Sequence, residues 1–147
     1  MNINHQIHPI DQNQALFQNE AEVLNAMSHP ARLEILELLR EGESCVCHIQ
    51  AMLDQRQSYI SQQLNTLRQA GLISSRKEGL RVYYKVSDPD LFDLLDQVKG
   101  ILQKMGKWQP DGPGQDELIL KNKACNCPQC AHHPEQEICE PAKVEYA

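Results

Sequence analysis

The sequence predicts a mainly helical α+β domain, and three observations support this fold class. Residues 43–72 have the pattern of two helices joined by a tight turn. Residues 72–87 form two halves rich in β-branched and aromatic residues, separated by Glu78 and Gly79, which predicts a β-hairpin. Apolar residues at helical spacing flank both segments. Together these features predict a winged helix-turn-helix with a two-stranded wing.

The first helix of the pair lies in the segment ESCVCHIQAML. Ser44 is a favourable N-cap residue, so we expect the helix to begin near it. The apolar residues predicted to face inward are Val46, Ile49 and Leu53. The second helix is expected to run over residues 57–70 and to end at Gly71, because glycine favours the helix terminus.

The second helix has one apolar face and one polar face. Ile60, Leu64 and Leu67 repeat at intervals of four and three residues and are predicted to face inward. The opposite face carries amides and hydroxyls, from Gln57, Ser58, Tyr59, Ser61, Gln62 and Asn65. Such a face suits the reading of base edges in a major groove, so we expect it to contact double-stranded DNA.

Charge is distributed unevenly along the chain. The whole sequence has a net charge of −6, which by itself disfavours a nucleic-acid partner. Residues 55–86, however, contain six basic residues and one acidic residue, a local balance of +5 that leaves −11 for the remainder. Lys77 and Arg81 lie at the predicted tip of the wing. A basic patch on an acidic body favours docking on DNA in one orientation.

Flanking segments set the predicted domain boundaries. Residues 1–14 lack periodicity and are expected to form a flexible arm, followed by a winged-helix domain over residues 15–105. Its last helix is expected to start at Asp88-Pro89-Asp90, where a capping acid and a proline favour initiation. The apolar stripe of the last helix exceeds what this core requires. We therefore expect part of it, together with the first helix, to form the interface of a homodimer.

Composition changes after the domain. Residues 106–147 contain helix-breaking glycine and proline residues and then a cysteine-rich tail. No apolar run reaches the roughly 20 residues needed to cross a bilayer, and the N-terminus lacks signal-peptide features, so we expect a cytoplasmic protein without a membrane partner. In a reducing compartment, clustered cysteines indicate metal or redox chemistry more often than structural disulfides.

The segment MSHPARLEILELLREGESCVCHIQ, followed by YISQQLNTLRQAGLISSRKEGLRVYYKV, resembles the ArsR/SmtB family of bacterial winged-helix, metal-responsive transcriptional repressors. The resemblance covers roughly residues 15–104. It implies a homodimer that occupies a two-fold symmetric operator and releases it when an inducer binds. It also implies a sensing site at Cys45-Val46-Cys47, for which arsenite, antimonite, cadmium or lead would be the usual inducers.

The sequence departs from the family pattern at two places. A third thiol sometimes found in the same helix would fall at Gln50, and the position after the cysteine pair, often acidic, is His48. The last helix offers acids but no histidine for the family's other site, which binds zinc across the dimer. The missing histidine disfavours a zinc or nickel site on the last helix and favours the cysteine site. Zinc remains a possible inducer at the cysteines.

The residues themselves also suggest thiol chemistry. A helix N-terminus favours thiolate, the form that binds metals. Cys45 and Cys47 flank the inward-facing Val46, so we expect neither in the core. Residues two apart on a helix point about 200° from each other, so one ion bound by both would require the first turn to open. The tail thiols could complete the site or bind their own ion, and they are Cys125, Cys127, Cys130 and Cys139.

Two alternatives to a metal or metalloid sensor remain open. A thiol-redox or reactive-sulfur repressor of the same fold would couple two cysteines covalently. A metal-buffering protein would depend on its tail more than on its helices. An enzyme is not expected, because the sequence shows no set of nucleophile, base and orienting residue and no phosphate-binding glycine loop.

Overall fold

The computed structural model describes residues 9–109, with side chains described from residue 13. The four tail cysteines predicted as ligands lie outside these residues. Along the chain the elements are α1 (Pro9–Met27), α2 (Pro30–Arg40), β1 (Ser44–Cys45), α3 (Val46–Leu53), α4 (Gln57–Gln69), β2 (Ile73–Glu78), β3 (Arg81–Val86) and α5 (Asp90–Lys104). The predicted winged helix-turn-helix is confirmed, with α3 and α4 as the helix pair and β2 and β3 as the wing.

The sheet contains one strand that the sequence did not predict. Its order is β1-β3-β2, all antiparallel. The hairpin pairs Ile73 with Val86 at its base and Glu78 with Arg81 at its tip, and Gly79 turns the chain with a φ of 58°. The short strand β1 pairs with β3 through Ser44 and Tyr84 and through Cys45 and Tyr83. The wing is therefore joined directly to the entrance of α3.

This pairing corrects the predicted start of α3. The helix begins at Val46 rather than near Ser44, and Cys45 is its N-cap residue, with φ −82° and ψ 159° in the extended region. The Ser44 hydroxyl is buried and has no hydrogen-bond partner among the described residues. Ser44 does not cap the helix because the backbone around it is committed to the ladder with β3.

The first helix is also longer than predicted. It begins at Pro9, six residues before Ala15, so part of the expected flexible arm is helical. The apolar periodicity begins only at Leu16, because periodicity marks the apolar face of a helix and not its full length. Proline is tolerated at the first helical position, since its missing N–H would have no helical partner there.

The core lies where α2, α3 and α4 pack against the base of the wing and α5. The fully buried side chains come from α2, α3, α4 and β3. They are Ile35, Leu36, Leu39, Ile49, Ile60, Leu64, Leu67 and Val86. The inward face predicted for α4 is confirmed, and Ile49 of α3 is buried as expected. Val46 and Leu53 are half-buried and pack against the same cluster.

Polar contacts attach α5 to α2. Arg40 donates to Asp96 at 2.8 Å and lies over the ring of Phe92 at 4.8 Å, while Lys99 donates to Glu37 at 2.7 Å. Burial alone would raise the pKa of Glu37, but hydrogen bonds from Arg40 and Lys99 outweigh it and hold the pKa below its usual value. These contacts fix the base of α5 on the core.

Two helices keep apolar faces exposed. On α1 these are Leu16, Phe17 and Leu24, and along α5 and its end they are Leu94, Val98, Ile101 and Met105. The α5 residues follow a spacing of four, three and four, which places them in one stripe. The stripe is distinct from the α5 residues that enter the core, Leu91, Phe92 and Leu95. No helix among residues 9–109 is long and apolar enough to span a membrane.

Candidate nucleic-acid interface and thiol site

Helix α4 presents most of its predicted polar face to solvent. Gln57, Ser58, Ser61, Gln62 and Asn65 are all exposed. Asn65 accepts a hydrogen bond from Arg68 at 3.1 Å, which adds a cation to the C-terminal end of this face. The surface thus combines exposed amide and hydroxyl groups, which are types that hydrogen-bond base edges, with a guanidinium, which is a type that binds phosphates.

Tyr59 behaves differently from the other predicted DNA-facing residues. Its ring is half-buried, packs against the core and lies 6.5 Å from the ring of His29 at a tilted angle. It lies at the edge of the polar face because it is one residue before the buried Ile60. Tyr59 therefore supports the position of α4 against α2 as well as bordering the exposed surface.

A buried polar contact that the sequence did not reveal holds α4 in place. Gln63 is buried, and its side-chain oxygen accepts a hydrogen bond from Arg32 at 2.9 Å. Arg32 also donates to the backbone oxygens of Ala26 and Asn25 at the end of α1. One arginine thus ties α1, α2 and α4 together. The sequence does contain a signal for the burial of Gln63, because this residue falls within the apolar stripe of Ile60, Leu64 and Leu67.

The wing has two kinds of basic residue. Lys77 and Arg81 are exposed near the tip, as predicted. Arg76, by contrast, forms ion pairs with Glu43 and Glu78 and lies over the ring of Tyr83 at 4.7 Å. Its positive charge is therefore compensated within the protein. The basic patch available to a phosphate backbone is smaller than the local charge count suggests.

The two thiols of the described chain are in contact. The Sγ atoms of Cys45 and Cys47 lie 2.8 Å apart. The expectation that they point about 200° from each other was wrong, because Cys45 lies in extended backbone and only Cys47 is helical. The first turn of α3 therefore does not have to open for both sulfurs to contact the same bound atom. Cys45 is 3% exposed, so the expectation that neither cysteine is buried was also wrong, while Cys47 is half-buried.

Side chains of the wing lie on the same face of the sheet as the thiols. Residues directly opposite on antiparallel strands share a face, so Cys45 lies beside Tyr83, and Tyr83 lies beside Arg76 of β2. Arg81 is two residues from Tyr83 on β3 and is on this face as well. We call Cys45, Cys47, Arg81 and Tyr83 the thiol face. It joins the entrance of α3 to the central strand of the wing.

Electrostatics link Arg81 to the thiols. The pKa of Arg81 is raised, chiefly by its interaction with the Tyr83 side chain and to a smaller extent by the electrostatic influence of Cys47 and Cys45. The thiol face thus combines two sulfurs in contact, which suit a soft ligand, with a guanidinium on the same face of the sheet.

His48 lies next in sequence to Cys47 but points to the interior. It is 4% exposed, and burial lowers its pKa, so it is neutral near pH 7. Within the described part of the chain no three residues among His, Cys, Asp and Glu come together as a metal site. The two sulfurs of Cys45 and Cys47 are therefore not part of a larger cluster of these residue types in the described chain.

A helix pair with an exposed polar face, followed by a basic hairpin, defines the class of winged helix-turn-helix transcriptional regulators. Comparison with known proteins agrees: residues 29–75 match the model of the bacterial regulatory protein, arsR family. The chain belongs to the ArsR/SmtB family.

Three relatives illustrate this membership. The crystal structure of Rv0081 from Mycobacterium tuberculosis is 34% identical, with a TM-score of 0.57 over 61% of this chain and 91% of that one. The homodimeric winged helix-turn-helix DNA-binding domain Mb0332 from Mycobacterium bovis is 32% identical, with a TM-score of 0.60 over 64% and 87%. The arsenic resistance transcriptional regulator ArsR1 of Pseudomonas putida is 37% identical over 55% of this chain and 63% of its own length.

Proposed function

We propose that this protein is a homodimeric repressor that occupies operator DNA and releases it when a soft metalloid or metal ion binds Cys45 and Cys47. Arsenite and antimonite are the leading inducers, and cadmium, lead and zinc are the divalent alternatives. The observation that carries the proposal is the contact of the two sulfurs at the junction of β1 and α3. Two thiols already in contact suit a thiophilic atom that bridges them.

Two parts of the structure support DNA binding. The exposed amides and hydroxyls of α4 suit the major groove, and Lys77 and Arg81 on the wing suit the adjacent phosphates or minor groove. The relatives with DNA-binding or transcriptional names share this fold. We therefore assign α4 as the recognition helix and the wing as the flanking backbone contact.

The exposed apolar faces of α1 and α5 support the dimer. Large apolar side chains cluster on these helices, and their burial against a second copy would remove them from water. The related domain Mb0332 is described as homodimeric. A two-fold dimer would place two copies of α4 on successive major grooves, in line with a two-fold symmetric operator.

The connection of the thiols to the wing and to α4 supports the proposed release of DNA. Cys45 belongs to β1, which pairs with the wing, and Cys47 belongs to α3, which packs against α4. A ligand that changes this junction alters the position of the wing relative to α4. For such a ligand to act as an inducer, it must bind the DNA-incompetent arrangement more tightly, and operator DNA must weaken its binding by the same factor.

The sulfur contact also favours a second candidate function. Two thiols in contact are placed to form a disulfide when an oxidant accepts two electrons and two protons from them. In this thiol-redox version, the same junction would respond to a peroxide or reactive sulfur species instead of a metalloid. The tail cysteines remain proposed ligands in either version, as a completion of the junction site or as a separate site.

The test uses the full chain, a DNA fragment from upstream of its own gene, and fluorescence anisotropy. Arsenite is expected to weaken DNA binding of the wild type about 5- to 150-fold, the usual range of allosteric coupling. The double variant Cys45→Ser/Cys47→Ser is expected to bind the DNA as before and to lose this response. A double variant that still responds normally would show that the sensing site lies elsewhere.

Two controls separate the candidates. Replacement of Cys125, Cys127, Cys130 and Cys139 by serine reports whether the tail contributes to the response. Hydrogen peroxide in the presence of a chelator, followed by mass spectrometry, reports a Cys45–Cys47 disulfide and its effect on DNA binding. Release by peroxide together with indifference to arsenite would favour the redox version.

A further inference from the structure

The thiol face offers two sulfur ligands, whereas trivalent arsenic requires three bonded atoms, and polar side chains on the same face could hold a third atom that is not sulfur. Trivalent arsenic and antimony form three bonds in a pyramidal arrangement, and the described chain offers two sulfurs and no third residue among His, Cys, Asp and Glu at that point. Groups of a different kind do lie there. Arg81 and Tyr83 lie on the same face of the sheet as Cys45, because they are two residues apart on β3 and Tyr83 is directly opposite Cys45. Both donate hydrogen bonds, and neither is a soft ligand.

The register of the sheet places these donors beside the sulfurs. Cys45 is directly opposite Tyr83, where the Cα atoms of antiparallel partners are about 4.5–5.5 Å apart. Continuing that register would set residue 47 opposite residue 81. The chain turns into α3 at Val46, yet the Cys47 sulfur stays within 2.8 Å of the Cys45 sulfur and therefore remains near β3.

We propose that Cys45 and Cys47 bind the central atom of a trivalent arsenic or antimony oxyacid, while Arg81 and Tyr83 hold the one oxygen that this atom retains. The inference rests on the proposed function and names the ligand class of the same site. It makes the wing strand β3 part of the inducer site. The ligand then touches β1, α3 and the wing at once.

The binding step balances without redox chemistry. Arsenous acid carries three hydroxyl groups on As(III). Each thiol replaces one hydroxyl, so two As–O bonds break, two As–S bonds form, and the two thiol protons leave with the two hydroxides as water. Arsenic stays trivalent and keeps one oxygen. That oxygen carries partial negative charge and accepts hydrogen bonds from the guanidinium of Arg81 and the hydroxyl of Tyr83.

Charge favours this ligand over a divalent cation. The positive charge of Arg81 is on the same face of the sheet as Cys45 and opposes a second positive charge there, but it attracts the oxygen of a neutral oxyacid. A divalent ion such as cadmium would also need further thiolates to fill a four-coordinate shell, which the described residues do not offer. The thiol face therefore selects by charge as well as by softness.

The test compares two arsenicals that differ in the third group on arsenic. Arsenite keeps an oxygen after two thiols bind, whereas phenylarsine oxide loses its oxygen and keeps a phenyl carbon. Affinities for both are measured on the full chain without DNA, with the tail cysteines replaced by serine. Arg81→Gln is expected to weaken arsenite binding about tenfold, because it removes a hydrogen bond from a charged group, and Tyr83→Phe about fivefold, because it removes one from a neutral hydroxyl. Phenylarsine oxide affinity is expected to change less than about twofold, since no oxygen remains to accept that bond.

The variants are chosen to keep the fold intact. Tyr83→Phe keeps the ring under Arg76, and Arg81 is exposed. Lys77→Gln removes a wing cation from the opposite face of the sheet and is expected to leave arsenite affinity unchanged. Equal weakening of both arsenicals by Tyr83→Phe and Arg81→Gln would assign these residues a structural role and overturn the proposal.

Arsenic X-ray absorption on the wild-type full chain gives a second readout. Two sulfur neighbours and one oxygen are expected. Three sulfur neighbours, together with loss of arsenite binding when the tail cysteines are replaced, would overturn the retained-oxygen site and leave the proposed repressor function standing. Persistence of arsenite-induced DNA release in Cys45→Ser/Cys47→Ser would instead overturn the proposed function itself.

Discussion

Helix α4 and the β1–α3 junction lie side by side, but their structures have different origins. The hydrogen bonds of α4 are local, and its apolar stripe of Ile60, Leu64 and Leu67 follows the helical period. The junction takes its backbone partners from Tyr83 and Tyr84, nearly forty residues further along the chain. A helix with its own period is legible in the sequence, whereas a two-residue strand is defined by a distant partner.

This difference has a functional meaning. Helix α4, the proposed recognition helix, is held by burial of its apolar stripe, so its exposed polar face has a stable support. The junction combines a buried thiol, a buried histidine and a serine hydroxyl without a partner among the described residues. A chemical change at Cys45 would therefore take place among buried side chains.

The largest expected effect tests how much the buried face of α4 contributes to stability. Leu64 is completely buried, so Leu64→Ala should lower the free energy of unfolding by about 2–5 kcal/mol, through lost burial and the cavity that it leaves. Urea denaturation at fixed protein concentration measures this. Gln62→Ala, two residues away on the exposed face, should change stability by less than about 0.5 kcal/mol. Similar losses for both variants would contradict the division of α4 into a buried and an exposed face.

An intermediate effect tests how tightly the junction is closed. Burial lowers the pKa of His48, so it stays neutral in the folded protein while the unfolded chain takes up a proton below about pH 6.5. The unfolded state then binds more protons, and stability should fall as pH drops from 7, by up to about 1.4 kcal/mol per pH unit, until the folded pKa is reached.

The variant His48→Gln isolates this contribution. Urea denaturation from pH 7 to pH 5 should show a shallower loss of stability for His48→Gln than for the wild type. The difference between the two slopes removes the contributions of the other histidines. Parallel slopes would mean that His48 is accessible to protons in the folded protein and that the junction is more open than its burial indicates.

The smallest expected effect distinguishes a strand from a helix cap at Ser44. A serine that capped α3 would cost about 0.5–2 kcal/mol on replacement by alanine. Because its hydroxyl is buried without a partner among the described residues, Ser44→Ala should instead leave stability unchanged or raise it slightly. A clear loss in thermal or urea unfolding would restore Ser44 as the helix cap.

Much of the domain could be predicted from the sequence, and the reasons differ by element. The α4 stripe, the turn at Gly79 and the start of α5 after Asp88 each depend on neighbours close in sequence. The start of α1 at Pro9 was missed because polar residues can be helical without a buried face. The strand β1 was missed because its pairing with β3 leaves no local signal.

The candidate sites show the same division. The exposed residues of α4 and the two cysteines were found from their types and spacing. The contact between the two sulfurs, the position of Arg81 beside them and the Arg32–Gln63 hydrogen bond depend on long-range packing. Arg76 was counted as part of a basic patch, yet Glu43 compensates it from outside the counted segment. Sequence therefore identified the reactive groups but not their neighbours.

The ion pairs between α2 and α5, Arg40–Asp96 and Lys99–Glu37, bear on the length of DNA that a dimer would span. Arg40 and Lys99 hold α5 at a set angle to α2, and α2 packs against α4. In a dimer joined through α5, that angle fixes the separation of the two recognition helices, which must match a helical repeat of about 34 Å. These surface ion pairs would then help to determine the spacing between operator half-sites to which the dimer binds.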